Sequence, residues 1–485
     1  MLFNSFVFPV FLVIVWTLYI CLKRKPQNVL LLVASYVFYS WWDWRFLSLL
    51  FISTLTDYVI SQYMGQCGET QQRKRKVWLW ISLCINLGIL GFFKYFNFFA
   101  ESFERVVAPF GLQADFVTLN ILLPVGISFY TFQTMAYTID VYRGKEKPCK
   151  NFLDFALYVA YFPQLVAGPI ERSTNLIPQF QKDRELTRNL LYSSFRLIFW
   201  GYFLKVFVAD GVAPYVNQCF SNPKAYGGRT LLMGAYLFAL QIYGDFAGYT
   251  HIARGASRLF GIELCLNFRQ PYLSGDITEF WRRWHISLSS WLRDYLYIPL
   301  GGNRKGVRRT YINLILTMLL GGLWHGAAWT FVIWGGLHGL YLAVHKFTHG
   351  GKVKPSAPPK TFSQHCVKLF WIVGTFHLVC LTWIFFRANS LTNALAYITG
   401  IAHWSGPKIS GMSDTLFFYF ACVLLIDIFC EIRKSEVPVL PGESTSWRER
   451  IFNNWLVRGT IYAIALFLIV FIGGENSEPF IYFQF

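Results

Sequence analysis

Apolar stretches of about twenty residues recur along the chain, each closed by a short polar or basic interruption. A helix rises 1.5 Å per residue, so a stretch of that length crosses a ~30 Å hydrocarbon core. Residues 4–22 predict a first span that ends at Lys23-Arg24-Lys25. A second runs to Tyr39-Ser40-Trp41-Trp42-Asp43-Trp44, whose rings suit a membrane–water interface. A third returns to Arg73-Lys74-Arg75-Lys76, a fourth covers 77–98, and a fifth near 118–140 leads to Arg143, Lys145, Lys147 and Lys150. These three basic clusters lie two spans apart and so share one side. The positive-inside rule makes that side cytoplasmic and puts the N-terminus outside. Further spans follow near 191–218, 229–248, 366–386, 414–431 and 457–474. Arg196, Lys205 and Asp210 fall inside one of them, which hints at a polar interior.

Two stretches break this rhythm. Residues 152–170 are apolar but end Phe162-Pro163-Gln164-Leu165-Val166-Ala167-Gly168-Pro169-Ile170, and two prolines with a glycine do not make one straight helix. A break at membrane depth is tolerated only against protein or a wet cavity, so a kinked or re-entrant element is expected. Residues 281–296, taken as a helix, put Trp284, Leu288, Trp291 and Tyr295 on one face. Arg282, His285, Ser289 and Arg293 fall on another, forming a basic, hydroxyl-bearing stripe. Such a stripe either snorkels to lipid phosphates or lines a cytoplasmic vestibule, where Arg282, Arg283 and Arg293 would meet the phosphates of a donor such as coenzyme A.

Composition sharpens the class. Of 485 residues 54% are hydrophobic, 19% aromatic and only 14% charged, against roughly 25% charged in a soluble protein. The expectation is an all-α polytopic membrane protein with no soluble domain and no internal repeat. It is read as one domain: N-terminal helices over 1–150, a core over 151–345, a basic Pro/Gly-rich and mobile loop within 346–365, and C-terminal helices over 366–485. The formal charge of +18 arises from bases clustered between spans, the membrane pattern and not a nucleic-acid one. Ten scattered cysteines form no CxxC pair, so no metal site or disulfide framework is expected. The first apolar run lacks a basic leader and a cleavage site and reads as a retained span.

Chemistry concentrates at two histidines. His285 closes Gly275-Asp276-Ile277-Thr278-Glu279-Phe280-Trp281-Arg282-Arg283-Trp284-His285, the densest mix of charge and rings in the chain. His325 sits in Gly321-Gly322-Leu323-Trp324-His325-Gly326-Ala327-Ala328-Trp329. An ionisable group at membrane depth is costly and points to function, although a structural histidine bonded to a helix carbonyl is the plainer alternative. An imidazole titrating near ~6.5 suits a general base for a hydroxyl attacking a thioester. Glycines beside it leave room for a thin acyl or pantetheine arm. His338 lies 13 residues on, about 20 Å and 220° away along a continuous helix, so it shares no proton with His325 and reads as packing or a second site. His251 is ambiguous, and His345 and His349 read as interface residues. GxSxG, HExxH and P-loop motifs are absent.

Several blocks resemble the membrane-bound O-acyltransferase family, in its bacterial alginate O-acetyltransferase branch. They are Leu123-Pro124-Val125-Gly126-Ile127-Ser128-Phe129-Tyr130-Thr131-Phe132-Gln133, then Phe162 to Ile170, Asn267-Phe268-Arg269-Gln270-Pro271-Tyr272, Ile277 to Gly302, and Trp324-His325-Gly326. The resemblance implies a bundle of about ten to twelve transmembrane helices, with re-entrant segments around a central tunnel. It makes His325 and His285 catalytic, and puts Arg282, Arg283, Trp284, Ser289, Arg293, Asp294, Trp324 and Asn267 at the donor and substrate. The implied reaction moves an acyl group, here acetyl, from acetyl-coenzyme A or an acylated carrier on the cytoplasmic side to an exopolysaccharide such as alginate. Transfer is direct or through an extracytoplasmic partner protein, in a bacterial inner membrane, with membrane lipids as surroundings and no metal or nucleic acid. His251, where the branch usually has an acid, and Arg254, where it is usually apolar, depart from the pattern. Rival readings are transfer to teichoic acid, lipid or protein, and, in another class, a proton-coupled transporter or flippase with the histidines as relays.

Overall fold

Most expected spans become helices whose ends are set by local backbone chemistry. The computed structural model describes residues 1–68, 71–110, 122–166, 168–349, 361–438, 454–473 and 479–481. Among these every regular element is helical and none is a strand. Six helices are long and apolar enough to cross a bilayer: Gln72–Phe110, Arg188–Ser221, Gly228–Leu259, Phe362–Arg387, Met412–Arg433 and Trp455–Ile472. The chain is an all-α, multi-pass membrane protein. These six stand where spans were expected from residue 77 onward. The first expected span is shorter, a 14-residue helix Val7–Ile20. It stops because Lys23 is extended (φ −87°, ψ 165°) and Pro26 starts the next helix, Arg24–Ser40, in whose first turn a missing N–H costs nothing. The expected span at 118–140 is helical over Ile127–Tyr142. Its first residues, and the loop at 350–360 expected to be basic and mobile, lie outside the described residues.

By packing, the chain forms two compact units, Met1–Ser194 with Ala253–Cys265, and Phe195–Ile252 with Leu266–Phe485. In the first, Asp57 on helix Leu47–Gln66 is fully buried. Ser82 Oγ donates to it at 2.5 Å and Asn86 Nδ2 at 2.8 Å, the satisfaction a buried carboxylate requires. The basic clusters gather at one end. Arg75 Nη2 donates to the carbonyls of Val141 and Tyr142, at 2.8 and 3.0 Å, which end the Ile127–Tyr142 helix. Tyr58 donates to the Lys150 carbonyl, and Lys25 and Asn151 line one surface groove. The stretch after residue 152 is broken as expected: Phe152–Ala160 stops at Tyr161 (φ −52°, ψ 110°) before a single turn, Phe162–Leu165. Phe155 to Phe162 are wholly buried, so the break is wrapped in protein.

In the second unit the polar interior is an ion cluster. Lys205 Nζ lies 2.8 Å from Asp210 Oδ1 and 2.8 Å from Asp245 Oδ1, and all three side chains are buried. The Ile481 N–H donates to Asp245 Oδ2 at 2.7 Å, which brings in a residue near the chain's end. In the same unit, helices Val307–His325 and Trp329–Thr348 pack as a tight hairpin. A methyl at Gly322 would meet the Phe331 carbonyl, and one at Gly335 the Met318 carbonyl, so the backbones touch where glycine alone fits.

Candidate active site

The site begins with a cap. Asp276 Oδ1 accepts the Glu279 N–H at 2.8 Å, and Glu279 Oε2 accepts the Gly275 N–H at 2.9 Å, which starts helix Ile277–Arg283. The single helix expected across 281–296 does not form. Trp284 is extended (φ −101°, ψ 129°) and His285 is left-handed (φ 43°, ψ 54°) before a second helix, Ile286–Leu292, and a widened turn, Arg293–Tyr297. Histidine tolerates the left-handed region better than most side chains, and the surroundings hold it there. The Asn267 carbonyl accepts the Ile286 N–H at 2.9 Å. Its carboxamide oxygen accepts the Ser287 N–H at 3.2 Å and the Ser287 hydroxyl at 2.6 Å. Trp284 meanwhile turns into rings, with Phe268 and Trp383 each 5.0 Å away.

The break dissolves the basic stripe. His285 is wholly buried, against Phe246 at 4.7 Å between ring centroids, whereas Arg282 and Arg293 are exposed. Arg293 pairs with Asp294 at 2.8 Å. Arg283 is spent on carboxylates: Glu279 at 2.7 Å and Glu431 at 2.7 Å. Ser289 donates to the Trp284 carbonyl. Burial pushes the His285 imidazole down to about 3, so it stays neutral at ordinary pH.

His325 is the last residue of its helix and is 4% exposed. Trp324 and Trp334 lie 5.0 Å from it and Phe386 5.4 Å, ring to ring. His285 is 6.3 Å away. Forty residues apart in sequence, the two imidazoles thus border one aromatic enclosure, together with Trp324, and Asn267 holds the turn that carries His285. Among the described residues no three His, Cys, Asp or Glu side chains group to hold a metal. The chemistry on offer is that of buried imidazoles shielded from water: proton transfer and the orientation of a reacting oxygen.

Residues 38–351 match the model of the MBOAT, membrane-bound O-acyltransferase family. The chain belongs to this family. As a membrane-bound O-acyltransferase it is an enzyme that transfers acyl groups to oxygen. It is similar to a probable alginate O-acetylase of Azotobacter vinelandii, 45% identical over 81% of this chain and 76% of that protein. A probable alginate O-acetylase of Pseudomonas putida is 39% identical over the full length of both. A peptidoglycan O-acetyltransferase of Helicobacter pylori is 36% identical over 85% of this chain and 82% of its own.

Sequence reasoning did not find the rest of this O-acyltransferase's enclosure. Trp334 and His338 had a signal, two ring residues one helical turn apart in the glycine-spotted run. Phe246, Trp383 and Phe386 had none, because they reach the site from other helices. His345, expected at an interface, bonds Thr278 Oγ1 at 2.9 Å and so touches the cap of the first helix.

Proposed function

We propose that this chain transfers acetyl groups from a cytoplasmic thioester for the O-acetylation of an exopolysaccharide such as alginate, in the bacterial inner membrane. The observation that carries the reading is the pair of buried imidazoles, His325 and His285, 6.3 Å apart in an aromatic enclosure. Full-length similarity to a probable alginate O-acetylase supports acetyl as the group and a polysaccharide as the acceptor. In the reaction, His325 takes the proton of the acceptor hydroxyl as its oxygen attacks the thioester carbon. The C–O bond forms, the C–S bond breaks, and the proton passes to the departing thiolate. His285, neutral and fixed by its turn, orients the acceptor or the carbonyl, with Trp324 and Trp284 as walls. The exposed Arg282 and Arg293, the latter beside Asp294, meet donor phosphates of acetyl-coenzyme A or a carrier, while Arg283 and Ser289 brace the turn between the two short helices. Asn267 holds the same turn from the other side. The acyl group reaches the polysaccharide directly or through an extracytoplasmic partner.

The test is thiol release from acetyl-coenzyme A by the purified full chain in detergent. Wild type is expected to release thiol, and His325→Ala to lose at least ~100-fold, the scale of general-base catalysis. An active His325→Ala protein sinks the assignment.

A further inference from the structure

From sequence His338 reads as packing or a second site, because helix geometry carries it away from His325. The structure gives it more. His338 is wholly buried, and both ring nitrogens are committed. The Trp281 indole N–H donates to Nδ1 at 3.2 Å. The Thr382 hydroxyl gives its single proton to the Val379 carbonyl at 2.7 Å, so its oxygen, 2.9 Å from Nε2, accepts the proton His338 carries there. This fixes the neutral Nε2–H tautomer, since a proton on Nδ1 would point at the indole N–H. Three helices meet through these bonds: Ile277–Arg283, Trp329–Thr348 and Phe362–Arg387.

The imidazole also carries rings. It lies 4.9 Å from Trp334 and 5.1 Å from Trp281, and stacks on Phe280 at 6.1 Å with planes 9° apart. Trp334 is in turn the edge-to-face neighbour of His325 at 5.0 Å. Trp281 stands four residues before His285, on the helix that delivers it. One imidazole therefore connects the segment bearing His285 to the ring packed against His325.

We propose that His338 is a positioning residue: its two hydrogen bonds set the spacing between the His285 turn and the Trp334 wall of His325. It touches no reacting atom. The inference rests on the role given to His325 above. An aliphatic side chain of similar size would keep the volume but leave the buried Trp281 N–H without its acceptor, and the three helices would lose their common register.

The test uses the full chain in detergent, with acetyl-coenzyme A as the probe, and the variants His338→Leu, His338→Gln and Trp281→Phe. His338→Leu and Trp281→Phe are expected to lower kcat about tenfold or more while KM changes less than about twofold, the signature of lost alignment and not of lost binding. His338→Gln, whose amide offers both an acceptor and a donor, is expected to recover most of kcat. If His338→Leu does not fold, Trp281→Phe decides, because it removes one N–H and keeps a ring. An independent readout is the 15N spectrum of histidine-labelled protein. There His338 should show Nε2–H without titrating between about pH 5 and 8, and the His325 resonance should move in His338→Leu and return in His338→Gln. Unchanged kcat in both His338→Leu and Trp281→Phe, or a His338 protonated on Nδ1, overturns the inference. Should His325→Ala keep wild-type turnover, the reading of His325 fails first. A dead His325→Ala beside an unaffected His338→Leu sinks only the positioning role.

Discussion

At the scale of single residues, the site turns on a histidine held in an unusual backbone state. His285 is left-handed and buried, and its neutral form is strongly favoured in the folded protein. Its folded pKa of about 3 lies below the ordinary 6.5 of an exposed imidazole. The unfolded chain therefore binds a proton, as pH falls through 6.5, that the folded one refuses until about 3. Stability is unaffected above that window and declines within it, by up to about 2.5 kcal/mol between pH 6.5 and 4.5. His285→Asn keeps a side chain that accepts the left-handed backbone and removes the titration. Thermal unfolding of this variant is expected to fall less steeply with acid than that of wild type, and parallel slopes would contradict the assignment. His285 and His325 stood out in the sequence as candidates because an ionisable group in an apolar run is conspicuous. The left-handed turn was not, because the hydrogen bonds that impose it come from Asn267, 18 residues earlier.

Among elements, the helical hairpin carrying His325 is the most exacting. Gly322 and Gly335 let the backbones of Val307–His325 and Trp329–Thr348 touch, which sets how far Trp334 stands from His325. Gly335→Ala is expected to force the helices apart, at about 1–3 kcal/mol and with most of the activity. Gly374, where an added methyl meets nothing within 4 Å, is the control. Gly374→Ala should leave thermal unfolding unchanged or raise it slightly. Equal effects at the two positions would show that helix propensity, and not contact, governs both. Pattern located the six long helices well but assigned no span to this hairpin. It misjudged 281–296, where a regular amphipathic pattern concealed two short helices, because a pattern records which positions are apolar and not whether the backbone between them stays helical.

Across the whole molecule, the distribution of basic clusters makes a testable map. Arg73–Lys76, Arg143–Lys150 and Lys25 collect at one end of the first unit, which the positive-inside rule makes cytoplasmic. Cys21 and Cys67 lie beside these clusters, Cys21 exposed and Cys67 half-buried, whereas Cys84 is exposed in the middle of a span. Single-cysteine proteins keeping Cys21 or Cys67 should react with a membrane-impermeant thiol reagent in inside-out vesicles and not in intact spheroplasts. Cys84 should resist it from both sides. Labelling of Cys21 in spheroplasts would invert the topology.

The amino-acid sequence by itself determined the class, grouped the basic clusters on one face, and marked two histidines worth watching. Each depends on solvent: apolar length selects the bilayer, basic residues favour one face, and a polar group in an apolar run carries a desolvation cost that makes it stand out. Only the tertiary structure decided what surrounds those histidines. It removed Arg283 from the free basic residues by pairing it with Glu279 and Glu431, turned His285 inward, and assembled the wall of Phe246, Trp334, Trp383 and Phe386. Rings, carboxylates and orienting amides meet there from helices far apart in the chain. Their encounter is a property of packing, which local pattern does not encode.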